Sequence, residues 1–507
     1  MMAAMNLNPP MTLSELLHGI IEIPAEMDRA INKPCLDSRK LAPGDLFLAC
    51  AGHTTHGFEY IETAIKAGAS AVLWETHVDI ETLPFSWRAS PQGVQIPLIA
   101  IANLSSKVGV LADRFYGQPS HKMFVTGITG TNGKTSCSQF LAQILSEHKP
   151  CGIIGTLGNG LYGKLNATAH TTPDAVTCHA FMADMLELDA SDIVMEVSSH
   201  ALEQGRVNAV QFDCAVFTNL SRDHLDYHGD MQTYAEAKTR LFGFADLKFA
   251  VINNDDEYGR ELAKQIAAPT RLIRYGLSTE HGQADLFARD LKLSSEGVQF
   301  HVSTPWGEGE VSANIMGQFN VSNLLAVLSV LLVHGMALDE ALAKLSQVKA
   351  VAGRMECLRR QGKPVVVIDY AHTPDALEQV LSALREHCAG QIWCVFGCGG
   401  DRDKGKRPLM AEIADRLADV IVLTNDNPRS ESPQDILNDI QTGLTGQSEC
   451  HIIEDRAVAI AHAINNAHVD DIVLIAGKGH EDYQLIGEQR LSFSDIAEAR
   501  KQLGLVA

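Results

Sequence analysis

A surplus of basic residues, a long apolar run and cysteines at metal-knuckle spacing are all missing from this chain, and each absence narrows what it can be. Lys and Arg number 41 against 62 Asp and Glu, for a formal net charge of −21. A surface so acidic repels phosphate backbones, which argues against a nucleic-acid partner and leaves solubility as the plain consequence. No run of about 18 uninterrupted apolar residues occurs, so no membrane span is expected. Residues 1–10 carry neither a basic nor an apolar segment, so no secretory signal is expected either. The closest of the eleven scattered cysteines that could form a knuckle, Cys394 and Cys398, have three residues between them, which is no common zinc spacing. They read as reduced thiols and small core residues of a cytoplasmic protein. Internal repeats and low-complexity segments are also lacking.

What is present is 507 residues, 46% hydrophobic and only 20% charged, the composition of a well-buried globular enzyme too long for one core. The pattern predicts an α/β protein of three domains. Residues 1–105 form a small N-terminal α/β domain. There Thr12 and Glu15 make a capping box opening a helix with Leu16, Leu17, Ile20 and Ile21 on its apolar side, and apolar runs at 46–49, 71–74 and 98–101 flank a helix over 60–67. Residues 106–349 alternate strands at 123–125, 193–195, 214–217 and 249–252 with helical stretches, which predicts a P-loop-type, mostly parallel sheet with helices on both faces. Residues 350–507 place strands at 365–368, 392–396, 420–423 and 472–475, a Rossmann-like doubly wound sheet. Ligands bind such sheets beyond the carboxyl ends of the strands, and polar and charged residues cluster there. Two sheets facing each other across a cleft is the simplest architecture that uses both sets.

The sharpest motif is Gly127-Ile-Thr-Gly-Thr-Asn-Gly-Lys-Thr135, between an apolar strand and a helix expected over 136–145. Strand, glycine turn and helix together make a phosphate cradle. Backbone N–H groups face the anion, Lys134 reaches the outer phosphates and Thr135 offers a hydroxyl to Mg²⁺. The general spacing would put glycine at 128, where this chain has Ile128, and the bland alternative is a glycine turn beside a solvated lysine. Glu196 ends a nearby strand, where a carboxylate can bind the nucleotide's Mg²⁺, and His224 follows the next strand and can complete a second metal site. A loop charge and a capping histidine are the bland readings. Lys238 lies in a helix opened by Thr233, and its residue type alone does not single it out.

The set Gly130-Thr-Asn-Gly-Lys-Thr135, Glu196-Val-Ser-Ser-His200, Asn219-Leu-Ser-Arg-Asp-His-Leu-Asp226, Gly317-Gln-Phe-Asn-Val-Ser-Asn323, Gly353-Arg354 and Asp369-Tyr-Ala-His-Thr-Pro374 resembles the Mur ligase family, in the right order over the whole chain. These are ATP-dependent amide-forming ligases of peptidoglycan precursor assembly, and within the family the chain is similar to the members that add the third residue. The resemblance implies that Thr129, Gly130, Thr131, Asn132, Gly133, Lys134 and Thr135 hold the ATP phosphates, with Asn320, Asn323, Arg354 and Asp369 also on ATP. It implies that Glu196 and His224 hold Mg²⁺, with Thr135, and that Lys238 is carbamylated, an anion that helps hold a second Mg²⁺. Leu36, Ser38, His53, Thr54 and Thr55 fall where relatives grip the uridine nucleotide. Thr171, Thr172, Ser198, Gln204 and Arg206 match contacts to the muramoyl dipeptide, whereas His170 stands where an asparagine is expected.

For the incoming amino acid, Asp426-Asn-Pro-Arg429 matches the family pattern for meso-diaminopimelate. The implied contacts are Arg402, Asp426, Asn427, Pro428, Arg429, Gly477 and Glu481. The chemistry agrees: diaminopimelate has a distal carboxylate and ammonium, while lysine has the ammonium alone. Arg402 and Arg429 suit the carboxylate, Glu481 suits an ammonium, and two arginines disfavour a bare lysine. The bland reading makes both arginines ordinary loop charges. The expected enzyme therefore adds meso-2,6-diaminopimelate to UDP-N-acetylmuramoyl-L-alanyl-D-glutamate through an acyl phosphate, as a monomer in the cytoplasm. His200 is a candidate base on residue type alone. Rival readings are a lysine-adding member, a folylpolyglutamate synthetase-like ligase, a small-molecule kinase and a non-catalytic nucleotide-binding regulator.

Overall fold

In the central parallel strands side chains alternate between two buried faces, and that period of two decides how the helices are placed. The computed structural model describes residues 11–52, 55–76, 84–168, 170–277 and 284–505. The chain divides into two compact units, one of Met1–Ile252 with Asp256–Ile273 and one of Asn253–Asp255 with Arg274–Ala507.

The first unit holds two sheets. The N-terminal one has five strands in the order Pro34–Cys35, Leu46–Ala49, Ala71–Thr76, Gln95–Ala102, Phe85–Ala89, all parallel except the last. Leu46, Leu48, Leu73 and Ile99 pack with Leu13, Leu16, Leu104 and Leu111, while Phe47, Val72 and Leu98 turn to the opposite face against Ile61 and Ile65. The capping box at Thr12 and Glu15 forms as expected, but the helix stops at Leu17, so Ile20 and Ile21 lie beyond it. In the second sheet, strands Phe249–Asn253, Cys214–Phe217, Phe124–Thr129, Asp192–Glu196 and Cys151–Gly155 run parallel. Antiparallel strands Gly158–Leu161 and Lys164–Asn166 extend it.

The second unit contains an antiparallel meander, Leu286–Ser294, Gly297–Thr304 and Gly307–Ala313, then the apolar helix Gln318–His334. It ends in a six-stranded sheet ordered Glu356–Leu358, Val365–Asp369, Ile472–Ala476, Ile392–Phe396, Val420–Leu423, Glu449–Ile452, parallel except for the first strand. Val367, Cys394, Ile421 and Leu474 meet helices Pro374–Arg385, Lys406–Leu417 and Pro433–Gln441 on one face. Val366, Val395, Val422 and Val473 meet Arg456–Asn466 and Asp495–Leu503 on the other. This is the doubly wound arrangement expected from the apolar runs.

His387 locks a junction within this unit. The Gly317 N–H donates to its Nε2 at 2.9 Å, and its Nδ1–H donates to the Ser294 carbonyl at 2.7 Å. The backbone donor requires a neutral ring, and burial holds the imidazole below its ordinary 6.5 although the Ser294 carbonyl opposes the shift. A histidine lowered on folding contributes stability in full above its unfolded value and loses it as pH falls through the folded one. Unfolding free energy should therefore decline as pH drops below about 6.5. His387→Asn should start lower by about 1–3 kcal/mol at pH 7 and show a flatter acid slope; denaturant melts of both proteins at pH 5 and 7 check this, and parallel slopes would refute it.

Candidate active site

The strand Phe124–Thr129 runs through residues 130–133 into the helix Lys134–Leu145, which starts two residues earlier than its sequence pattern suggests. The turn depends on glycine: Gly130 sits at φ +146°, where a Cβ would lie 1.9 Å from Thr218 Oγ1, and Gly133 caps the helix at φ +85°. Ile128 is a buried strand residue paired with Glu196 and Val216, so the glycine turn begins beyond it and needs none at 128. Thr129, also buried, is the strand's last residue.

Neighbouring strand ends brace the loop. The Thr131 N–H donates to Asn219 O at 2.8 Å and the Asn132 N–H to Asn219 Oδ1 at 2.9 Å. Thr218 Oγ1 donates to Asn132 O at 2.6 Å. Lys134 Nζ folds onto the carbonyls of Gly130 and Thr131, both at 2.8 Å.

Glu196 is fully buried at the end of the adjacent strand. Its carboxylate accepts from Thr135 Oγ1 at 2.8 Å, from Thr156 N–H and Oγ1 at 3.0 Å each, and from Ser138 Oγ at 3.4 Å. Among the described residues no cationic side chain pairs with it. A buried carboxylate balanced only by dipoles, beside a hydroxyl at a phosphate loop, is a hard-oxygen donor set that fits Mg²⁺.

Lys238 is buried too, donating to the same Gly130 carbonyl at 2.8 Å and lying 4.3 Å from the centre of the Tyr234 ring. Burial, and then the charge of Lys134, push its amine well below the ordinary lysine range. Its helix, Met231–Thr239, is capped by Asp230, whose carboxylate accepts from the Thr233 N–H, so Thr233 is not the cap. Asp230 is the better cap because its carboxylate suits the positive end of the helix. His224 is exposed at φ +53°, with its ring 5.0 Å from that of His200 and 6.1 Å from Tyr234. His200 also lies 4.1 Å from the Tyr227 ring. No three His, Cys, Asp or Glu side chains among the described residues converge as a preformed metal cage.

Two cavities of the first unit collect several of the residues expected on the nucleotide-sugar substrate, though Thr171, Thr172 and Ser198 line neither. One of about 670 Å³ is lined by Leu36, Ser38, Thr55, Arg39 and Tyr60. Another of about 640 Å³ is lined by Leu36, His170, Gln204 and Arg206. His53 and Thr54 lie outside the described residues. Arg206 donates to Gln204 Oε1 at 2.6 and 2.9 Å and to Thr172 O at 2.9 Å, while Gln204 Nε2 donates to the Tyr227 hydroxyl at 2.9 Å. Thr171 Oγ1 lies 3.0 Å from Thr156 Oγ1, and Thr172 Oγ1 accepts from the Ser198 N–H at 3.1 Å. The residues expected on the dipeptide thus interlock with the Glu196 cluster.

In the second unit, Asn320 Nδ2 donates to Met316 O at 2.7 Å and Asn323 Nδ2 to Asn320 Oδ1 at 3.0 Å, both buried in the first turns of the Gln318–His334 helix. Asp369 accepts from the N–H groups of Met355 and Ala371, both at 2.8 Å, and thereby holds the turn carrying Arg354. Burial raises the Asp369 pKa, against those hydrogen bonds and Arg354.

The residues expected on the amino acid meet where strands Ile392–Phe396, Val420–Leu423 and Ile472–Ala476 end. The Gly400 N–H donates to Asn427 O at 2.9 Å, and the Glu431 N–H to Pro428 O at 3.1 Å. A Cβ on Gly399 would lie 2.9 Å from Arg429 Nη1 and 3.8 Å from Arg402 Cγ, so both arginines border one glycine. Arg429 sits at φ +51° and donates to Gly400 O at 2.7 Å. Arg407, fully buried, forks onto Glu431 at 2.9 and 3.1 Å, clamping these loops, and holds that carboxyl down at about 2. Gly477 turns at φ +114° beside Asp426. Asn427 Nδ2 donates to Glu481 Oε2 at 3.1 Å.

Three family models match the chain in order: "Mur ligase family, catalytic domain" over residues 34–116, "Mur ligase middle domain" over 128–331 and "Mur ligase, glutamate ligase domain" over 353–479. A Coxiella burnetii protein named UDP-N-acetylmuramoyl-L-alanyl-D-glutamate--2,6-diaminopimelate ligase is 49% identical over 470 residues, 92% of this chain and 94% of that one. The chain belongs to the Mur ligase family. A solved structure of a ligase of the same name superposes with a TM-score of 0.73 at 36% identity, covering 97% of this chain and 99% of the other. A folylpolyglutamate synthase from Mycobacterium tuberculosis shares the Mur ligase fold alone, with a TM-score of 0.60 at 19% identity over 79% of this chain and 95% of that one.

Several side chains of this Mur ligase were not singled out by sequence reasoning. Thr156 follows the strand Cys151–Gly155, and reading that strand would have exposed it by the strand-end rule. Thr218 and Lys478 also stand at strand ends, after Cys214–Phe217 and Ile472–Ala476, but residue type gave them no role, and Tyr227 had no such signal because its partner Gln204 is remote in sequence.

Proposed function

We propose that this chain is the ATP-dependent ligase that joins meso-2,6-diaminopimelate to UDP-N-acetylmuramoyl-L-alanyl-D-glutamate in peptidoglycan precursor synthesis. The carrying observation is the gathering of Asp426, Asn427, Arg429 and Glu481 in a chain 49% identical over 470 residues to a ligase named for that reaction. Its carboxylates suit the substrate's ammonium and its arginines the distal carboxylate. No described helix is long and apolar enough to cross a membrane. A substrate built of a nucleotide, a sugar and a dipeptide supports a cytoplasmic enzyme.

In the reaction, the loop N–H groups and Lys134 orient the ATP phosphates and offset their charge. Thr135 and Glu196 are the residues that would hold Mg²⁺, whose chemistry is neutralisation of phosphate charge. The glutamyl side-chain carboxylate takes the γ-phosphoryl group, releasing ADP. The neutral amine of diaminopimelate attacks the acyl carbon, and the tetrahedral intermediate expels inorganic phosphate as the amide forms and the amine proton leaves to a base, for which His200 stands as candidate. The depressed amine of Lys238 supports carbamylation, because only a neutral amine attacks CO₂. In this reading His224 and the carbamate on Lys238 would hold a second Mg²⁺. The three domains at 1–105, 106–349 and 350–507 divide the uridine nucleotide, ATP and the amino acid among them.

Phosphate release tests the proposal, with ATP and the nucleotide dipeptide supplied alongside meso-diaminopimelate, L-lysine or no amine. Release should require the dipeptide and an amine, and prefer diaminopimelate by on the order of 100-fold or more. Equal use of lysine would remove the specificity assignment, and product formed without an amine would make the enzyme a kinase.

A further inference from the structure

A lysine that no role above uses lies at the centre of the amino-acid cluster. Lys478 follows Gly477 at the end of the strand Ile472–Ala476, and its side chain is fully buried. A buried ammonium persists only where counter-charge and acceptors surround it. Lys478 has all of these: Glu481 Oε2 at 3.0 Å, Asn427 Oδ1 at 3.3 Å and Asp426 Oδ1 at 3.7 Å, with the Tyr483 ring centre 5.5 Å away. Three residues assigned to diaminopimelate therefore converge on this one nitrogen.

The geometry constrains those partners. Lys478 and Asn427 Nδ2 both donate to Glu481 Oε2, while Oε1 receives no hydrogen bond from the described residues. Asn427 Oδ1 accepts from Lys478 and from the Leu485 N–H at 2.9 Å, which fixes the amide so that its NH₂ faces Glu481. The turn is equally constrained: Gly477 and Gly479 adopt φ +114° and +53°, and the Glu481 N–H donates to Lys478 O at 2.9 Å. One lysine against Asp426 and Glu481 leaves the group with one net negative charge, the complement of one ammonium.

We propose that Lys478 is a positioning residue of the amino-acid site, holding Glu481 and Asn427 so that Glu481 Oε1 is presented to the ammonium of the incoming amino acid. This rests on the assignment of Glu481 to the amine substrate. Lys478 does not touch that substrate; it sets the orientation and charge of the groups that do.

A double-mutant cycle on the full-length enzyme tests it, with K478M, E481Q and K478M/E481Q assayed by phosphate release, each substrate varied in turn with the other two saturating. K478M should raise the KM for meso-diaminopimelate about 30-fold, with kcat within about fivefold and the KM values for ATP and dipeptide unchanged. E481Q should raise the same KM at least as much, and the double variant should match E481Q within about threefold. If K478M, with two carboxylates left uncompensated, does not fold, E481Q against the double variant still decides: equal KM values support the proposal, and a further large loss overturns it. Weakened amine binding in E481Q beside normal binding in K478M overturns the proposal alone. Normal amine binding in E481Q overturns the site assignment, and the proposal falls with it.

Discussion

Replacing Glu196 with glutamine should lower kcat by about three orders of magnitude, close to 4 kcal/mol of barrier, while unfolding free energy falls by only about 1–2 kcal/mol. The substitution keeps the volume of a fully buried side chain and removes only its charge. Four contacts to the carboxylate, from Thr135, Ser138 and twice from Thr156, come from donors, so an amide must turn its own N–H groups towards some of them. The stability cost is that mismatch. The kinetic cost is larger because the carboxylate is the buried anion beside the phosphate loop, best placed to hold the cation that neutralises the transferring group. Single-turnover phosphate release and denaturant melts on the same preparation separate the two effects. A tenfold loss of kcat or less would place the metal elsewhere.

Arg429→Ala should raise the KM for meso-diaminopimelate by about 100- to 1000-fold, leave the KM for ATP unchanged, and leave the slow rate with L-lysine as it was or raise it. The selectivity ratio then falls by at least the same factor. The guanidinium is held in place by the Gly400 carbonyl, by loops clamped through Arg407 and Glu431, and by a backbone bonded through its N–H to Leu485 O and through its carbonyl to the Gly487 N–H. A charge so fixed is paired with a substrate carboxylate at little cost in ordering. Alanine tolerates the φ of +51° no worse than arginine, so the fold should survive. Steady-state kinetics with both amines check this. An equal loss with lysine and diaminopimelate would mean that Arg429 supports the loop rather than the distal carboxylate.

The C-terminal sheet was the most legible part of the chain. Ile392–Phe396 and Val420–Leu423 fall where their apolar runs begin and end, because a parallel strand buried on both faces must be apolar throughout. The strands Gly158–Leu161, Lys164–Asn166 and Gly307–Ala313 carry glycine and polar residues and are only half-buried, so they left no comparable run. Thr156 was lost because the strand before it, Cys151–Gly155, was not read. The phosphate loop was readable in outline, yet placing Ile128 required knowing that the strand extends to Thr129.

Local chemistry in the sequence was enough for the α/β class, the glycine turn before Lys134, the acid and histidine at strand ends and the arginine-bearing Asp426-Asn-Pro-Arg429 loop. Each depends on residue type and short spacing. Tertiary structure alone decided that Lys238 is a desolvated amine beside Gly130, that Glu196 sits among four hydroxyl and amide donors, and that Lys478 is buried between Asp426 and Glu481. Those properties come from desolvation and, Glu481 beside Lys478 apart, from partners brought together across dozens of residues, and burial, unlike residue type, exists only after the chain has folded.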